Sequence, residues 1–170
     1  SHLKAPPSGY IGVFNRSYYE DVVVVRVNAH RMIPPELRKK KQEWDRRYNM
    51  IRSFEQILGD AGTRVVKFFL HISQDEQRKR FEQRQKDPSK HWKLAEGDFI
   101  ERTFWNDYQE AYEEMLGPTS TKEAPWYIIP SDHKWVRNYW IAHILSATLK
   151  DMDLQRPELA DKSLIRKKIK

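Results

Sequence analysis

Asn15, Arg16, Glu20 and Asp21 fall together in the stretch FNRSYYED, residues 14–21. A guanidinium beside carboxylates suits phosphate chemistry. The planar fork of Arg16 can grip a phosphoryl group through parallel hydrogen bonds. Glu20 or Asp21 can hold a divalent cation directly or through water, because hard cations take oxygen ligands. The same residues also have a purely structural reading, in which Ser17 or Asn15 caps a helix and Glu20 and Asp21 favour the positive end of its dipole. Residue types and spacing alone leave both readings open.

The elements around this stretch decide what it can reach. Tyr10, Ile11, Val13 and Phe14 follow Gly9 as a short apolar run, the pattern of a strand buried on both faces. The polar stretch would then lie at the carboxyl end of a strand, the edge where open α/β sheets bind ligands. Residues 21–27 fit either a strand, from their four consecutive valines, or a helix, from the polar start before them. Pro34 and Pro35 mark a break. Leu37, Trp44, Tyr48, Ile51, Phe54 and Leu58 then recur at helical spacing until Gly59 and Gly62. Residues 65–72, VVKFFLHI, read as a second buried strand, and Ser73 with Glu76 forms a capping box that starts the next helix. Asp87 and Pro88 break it, and Phe104, Tyr108, Tyr112 and Met115 mark another helix that ends at Gly117 and Pro118. Residues 126–129 form a third strand, followed by Pro130, a Ser131 or Asp132 cap, and a helix over 134–149. Strands alternating with helices predict an α/β fold. Periodicity stops at Asp151, and residues 165–170, IRKKIK, read as a frayed basic tail.

Composition narrows the partners. A chain of 170 residues with 39% hydrophobic side chains can bury a core as one domain. The absence of cysteine excludes disulfide frameworks and thiolate metal sites, and fits a reducing cytoplasm. No apolar stretch is long enough to cross a bilayer, and residues 1–7 lack the apolar core of a signal peptide, so a soluble chain is expected. The histidines lack the paired spacing that zinc requires. A formal charge of +7 and a pI near 9.5 call for a polyanionic partner, whether nucleic acid, nucleotide or polyphosphate.

A family resemblance runs through several stretches in succession. FNRSYYEDVVVVRV (14–27), WDRRYNMIRSFEQIL (44–58), KFFLHISQDEQRKRFEQRQKDPSKHWKLAEGD (67–98), WNDYQEAYEEML (105–116) and STKEAPWYIIPSDHKWVRN (120–138) are similar to the polyphosphate kinase 2 family, in unbroken order over roughly residues 9–153. The resemblance implies a fold of P-loop kinase type: an α/β domain with a three-layer parallel sheet flanked by helices and a helical lid. It also implies transfer of phosphoryl groups between inorganic polyphosphate and nucleotides of AMP/ADP or GMP/GDP type, with magnesium (Mg2+). On this reading residues 1–153 are the C-terminal part of such a domain, about 78–102 are its lid, and 154–170 are a basic tail.

Carried onto this chain, the resemblance makes residues 11–21 the Walker B strand and its loop, with Arg16 a phosphate ligand. Asn15 stands where many relatives carry aspartate. An asparagine offers magnesium only a neutral carbonyl oxygen, so Glu20 or Asp21 is the expected source of the missing carboxylate. Glu20 itself stands where other branches carry asparagine, and the FNRSYYE form resembles the branch that accepts nucleoside monophosphates as well as diphosphates. Arg80, Arg84, Lys90, Lys93 and Arg102 of the lid are the implied polyphosphate contacts, suited to a reaction that demands positioning and charge neutralisation. Asp132, Lys134 and Arg137 lie where such kinases contact the nucleotide, although a helix cap accounts equally for Asp132. Trp92 and Trp105 read as packing residues.

No G-x-x-x-x-G-K loop occurs, and six glycines leave no room for a variant. The expectation is therefore half of a site, with strand edges and an apolar face open to a second copy or to a preceding half of the domain. The competing class is a non-catalytic polyanion- or nucleic-acid-binding module, which net charge and interspersed aromatics favour but no RNA or DNA motif supports.

Overall fold

The computed structural model describes residues 5–32 and 41–155. Strands β1 (Lys67–His71) and β2 (Trp126–Pro130) pair in parallel, with Lys67 opposite Trp126 and His71 opposite Pro130. Parallel neighbours need a long crossover. Here it runs through α4 (Gln74–Lys86), a 3-10 helix (Pro88–Lys93), α5 (Glu96–Thr103) and α6 (Trp105–Thr119). Helix α7 (Lys134–Asp151) follows β2 and packs along it. The α/β order expected from the sequence holds, as a small parallel sheet among mostly helices.

Helix α3 (Lys41–Asp60) shows why the long periodic stretch is helical: Trp44, Tyr48, Ile51 and Glu55 lie on one buried stripe. It ends where Gly62 takes φ +82°, a left-handed turn that glycine enters without a Cβ clash, so that Thr63 N–H can donate to Leu58 O at 2.9 Å. The core gathers Tyr19, Val22 and Val23 against this stripe and against Ala111 and Met115 of α6. Fully burying each such apolar side chain stabilises the fold by about 1.5–3 kcal/mol. The valines reach that core from a 3-10 helix (Tyr18–Asp21) and a short helix α1 (Val24–Val27), succeeded by α2 (Ala29–Met32). Packing against two helices thus overrides their strand propensity.

One expectation is corrected. The apolar run Tyr10–Phe14 is not a strand: it is irregular, and Tyr10, Ile11 and Val13 are 72%, 73% and 85% exposed. A strand needs a neighbour for its backbone groups, and among the described residues β1 and β2 bond only to each other. Ile128 on β2 and Trp135 and Tyr139 on α7 are exposed as well. No helix among the described residues is long and apolar enough to cross a membrane. Pro34, Pro35, Leu37 and nearly all of the predicted tail lie outside the described residues.

Candidate active site

The polar stretch is held from beneath. Ser17 is the helix cap, its Oγ accepting from Tyr19 N–H at 3.3 Å, and the 3-10 helix it starts turns two tyrosines inward. Tyr18 and Tyr19 both donate their hydroxyls to Glu55 Oε1, at 2.7 and 2.9 Å. Glu55 Oε2 accepts from Lys67 Nζ at 2.7 Å, and the same ammonium donates to Thr119 O at 2.7 Å and to Tyr19 Oη at 2.8 Å. Three donors thus meet three acceptors, the full capacity of a lysine. The Glu55 and Lys67 side chains are 2% and 6% exposed, and burial at that level is tolerable because each charge is paired and bonded. Burial draws the Lys67 pKa down, opposed by Glu55. Burial and the Glu55 carboxylate push both tyrosine hydroxyls far up, so they remain donors.

The opposite face of this turn is open. Arg16 Nε lies 3.9 Å from Glu20 Oε1, with side chains 85% and 48% exposed. Asn15 and Asp21 are exposed too, and the Asp21 carbonyl accepts from Arg47 Nη1 at 3.0 Å. The capping reading holds for Ser17, and the charges it leaves outside form an exposed cluster. Among the described residues no three histidine, aspartate or glutamate side chains converge as a closed metal cage. Glu20 and Asp21 are two adjacent carboxylates, both exposed.

The carboxyl ends of β1 and β2 form a second polar locus, around a pocket of about 170 Å³ lined by His71, Ser73, Ser131, Asp132 and His133. Asp132 does not cap α7, whose N-cap His133 makes no side-chain bond. Its Oδ1 accepts from Ser73 N–H at 2.7 Å instead, and that bond holds its carboxyl below the usual range. The predicted capping box accordingly forms by half. Ser73 Oγ accepts from Glu76 N–H at 3.1 Å, while Glu76 turns to Arg80 at 2.8 Å. Arg80 Nη2 in turn donates to Ser131 O at 2.7 Å. Arg80 and Asp132 thus stitch the two strand-to-helix loops together.

A cleft of about 330 Å³ opens between β1, α4, α5 and α6, with Phe69, Gln77, Phe81, Arg102, Trp105 and Tyr112 in its walls. Arg102 is tied to Gln74 O at 3.1 Å and to Gln77 Oε1. Tyr112, in ring contact with Phe69 at 4.7 Å, has its hydroxyl pKa raised by burial and then by the charge of Glu20. Arg84 lies half-buried over the Phe81 ring, whereas Lys90, paired with Asp87 at 2.5 Å, and Lys93, over Trp92, are exposed. Trp92, expected to pack, is 79% exposed, because the 3-10 helix bearing it buries none of its residues. Lys134 is exposed and Arg137 half-buried on the first turn of α7, and Arg137 donates to its neighbour Asn138 at 2.9 Å.

Glu55 and Lys67 were missed as site residues, yet both leave a trace in the sequence. Glu55 continues the apolar stripe Tyr48, Ile51, and Lys67 interrupts VVKFFLHI. Two opposite charges at positions that patterning assigns to the core are the signature of a buried pair.

Comparison with known proteins bears on this geometry directly. Residues 1–157 match the polyphosphate kinase 2 family. The chain is 46% identical over 166 residues to an AMP/ADP-polyphosphate phosphotransferase of Meiothermus ruber, covering 96% of this chain and 59% of that relative. It is 44% identical over 157 residues to an ADP-polyphosphate phosphotransferase of Rhodopseudomonas palustris, covering 90% and 54%. A crystal structure of polyphosphate kinase 2 from Arthrobacter aurescens superposes with a TM-score of 0.86 at 39% identity, over 97% of this chain and 56% of that one. The chain therefore spans somewhat more than half the length of the relatives it matches, and shares their P-loop-kinase-like α/β fold. A match that takes in the Arg16 turn, both strands and the lid assigns the chain to its group: it belongs to the polyphosphate kinase 2 family.

Proposed function

We propose that the protein carrying this chain moves phosphoryl groups between inorganic polyphosphate and nucleotides, including both AMP and ADP. The observation that carries this reading is the exposed Arg16–Glu20 pair on a turn anchored from beneath, in a chain nearly half identical to an AMP/ADP-polyphosphate phosphotransferase. Phosphoryl transfer asks a protein for positioning and charge neutralisation rather than covalent chemistry. Arg16 grips the phosphoryl group in transit. Glu20 or Asp21 would hold magnesium, which supplies charge neutralisation between donor and acceptor phosphates when bound; Asn15 adds a neutral oxygen beside them. Arg84, Lys90 and Lys93 receive the polyphosphate chain from the lid, whereas Arg80 and Arg102 hold the lid to the core. Lys134 and Arg137 serve the nucleotide phosphates, and Asp132 keeps the strand ends in register beneath them.

The exposed apolar run 10–14 and the outer face of α7 are covered by protein, a second copy or the remaining length of the domain. The setting is the cytoplasm, in keeping with the absence of cysteine. A stable monomer of this chain alone in size-exclusion chromatography would count against the covering.

The activity is tested by incubating the intact protein with polyphosphate, magnesium and AMP, ADP or GDP and following nucleotide phosphorylation. Product is expected, and Arg16→Ala should lower kcat by about 100-fold or more, the scale of removing one preorganised charge from a transition state. No product from any nucleotide overturns the proposal in favour of a binding-only protein, and parental rates in the variant overturn the role of Arg16.

A further inference from the structure

We infer that Glu55, held by Lys67, is a positioning residue for the Arg16–Glu20 turn. It does so through the hydroxyls of Tyr18 and Tyr19; this rests on the phosphotransfer reading above. The turn itself is short, and a single 3-10 turn of four residues is weakly stable on its own. Its orientation is nevertheless fixed, because two successive side chains end on one oxygen of a residue in another element, 37 and 36 positions away in sequence. With Tyr18 and Tyr19 committed inward, Arg16 and Glu20 are left on the outer side, 3.9 Å apart. Glu55 is in turn denied other rotamers by Lys67, whose ammonium is spent on Glu55, Thr119 O and Tyr19 Oη. The rings add to the clamp: Tyr19 packs edge-on against Trp126 at 4.8 Å, and Trp126 Nε1 donates to Thr119 Oγ1 at 3.0 Å. Helix α3, β1, β2 and α6 therefore all converge on the underside of one turn. A core that needed only stability would be served as well by apolar residues of similar volume. A carboxylate with two oxygens offers what they cannot, one point of attachment for the turn and one for the sheet.

The decisive variant is Tyr18→Phe with Tyr19→Phe, which removes the two hydroxyl ties while keeping ring volume and the Glu55–Lys67 pair. In the intact protein, amide hydrogen exchange over residues 15–21 should quicken by about tenfold or more, and Tm should fall as well, because Glu55 Oε1 loses both donors and Lys67 loses its Tyr19 acceptor. Under saturating polyphosphate and nucleotide, kcat should fall about tenfold while KM stays within about twofold, because misplacement costs the transition state more than the ground state. The paired variant Glu55→Gln with Lys67→Met keeps an acceptor oxygen for both tyrosines but loses the Lys67 tether, so its kcat should fall between that of the parent and that of the double phenylalanine variant. Unchanged exchange at 15–21, or loosened exchange with parental kcat, overturns the inference. If the parent phosphorylates no nucleotide, the phosphotransfer reading fails by itself, and the exchange measurement still decides whether Glu55 fixes the turn.

Discussion

The turn at Arg16 and the lid carry the same kinds of side chain and treat them oppositely. Beneath the turn, charges are buried, paired and fully bonded, with Glu55 and Lys67 at 2% and 6% exposure. Helix α4, the 3-10 helix Pro88–Lys93 and α5, which take in the predicted lid, bury no residue at all, and most of their ion pairs are surface pairs such as Arg78 with Asp75 at 57% and 78% exposure. A buried pair fixes a geometry at the risk of heavy loss if one member goes, whereas solvated pairs can be exchanged for a ligand's phosphates at little cost. The sharpest break of this contrast is in stability. Lys67→Ala strands the Glu55 carboxylate and should cost about 3–5 kcal/mol in urea denaturation. Arg78→Ala should stay within about 0.5 kcal/mol of the parent. Similar losses from the two variants would erase the distinction.

Activity sharpens the same contrast at a smaller scale. Replacing Arg84, Lys90 and Lys93 together by alanine should raise KM for polyphosphate about tenfold and leave kcat within about twofold, because solvated cations contribute attraction without setting the reacting geometry. The rise should shrink as salt is added, since screening already weakens such contacts in the parent. Arg80→Ala should behave differently: it frees Ser131 O and loosens both strand-to-helix loops, so kcat and Tm should fall together. A triple lid variant that lost kcat instead of raising KM would move the lid cations into the rigid centre.

How much of this was legible from residue order depends on whether the deciding partner was local. Helices α3, α4, α6 and α7 and both strands follow from periodicity and from Ser73, Gly62 and Pro88, whose effects reach a few residues. The Ser17 cap is local as well, one of the two caps, with Asn15, that residue order offers. Tyr10–Phe14 failed because an apolar run becomes a strand only beside a neighbour, and neither β1 nor β2 supplies one. The valines 22–25 failed to settle for the same reason, their burial being decided by α3 and α6. The bonds of Asp132 to Ser73 N–H and of Arg80 to Ser131 O join segments about 50 to 60 positions apart, so residue order could not show them.

The smallest expected effect tests whether the lid titrates independently of the centre. Asp87 accepts from Ser89 N–H at 3.1 Å, from Ser89 Oγ at 2.7 Å and from Lys90 Nζ at 2.5 Å, at the start of the 3-10 helix Pro88–Lys93. Lys90 first, then Ser89, draws its carboxyl down to about 2. A depressed carboxylate contributes support that is complete above its unfolded pKa near 4 and disappears as pH falls through the folded value. Amides of residues 88–94 should therefore lose protection from hydrogen exchange between about pH 4 and about pH 2, and Asp87→Asn should flatten that change. A global acid titration cannot isolate it, because Glu43, lowered to about 2 by Arg46 and Arg47 at the start of α3, responds in the same window. Residue-level exchange can. Loss of protection confined to 88–94, with residues 17–21 still protected, keeps the solvated lid and the buried clamp as separate units; loss spreading to Tyr19 would join them.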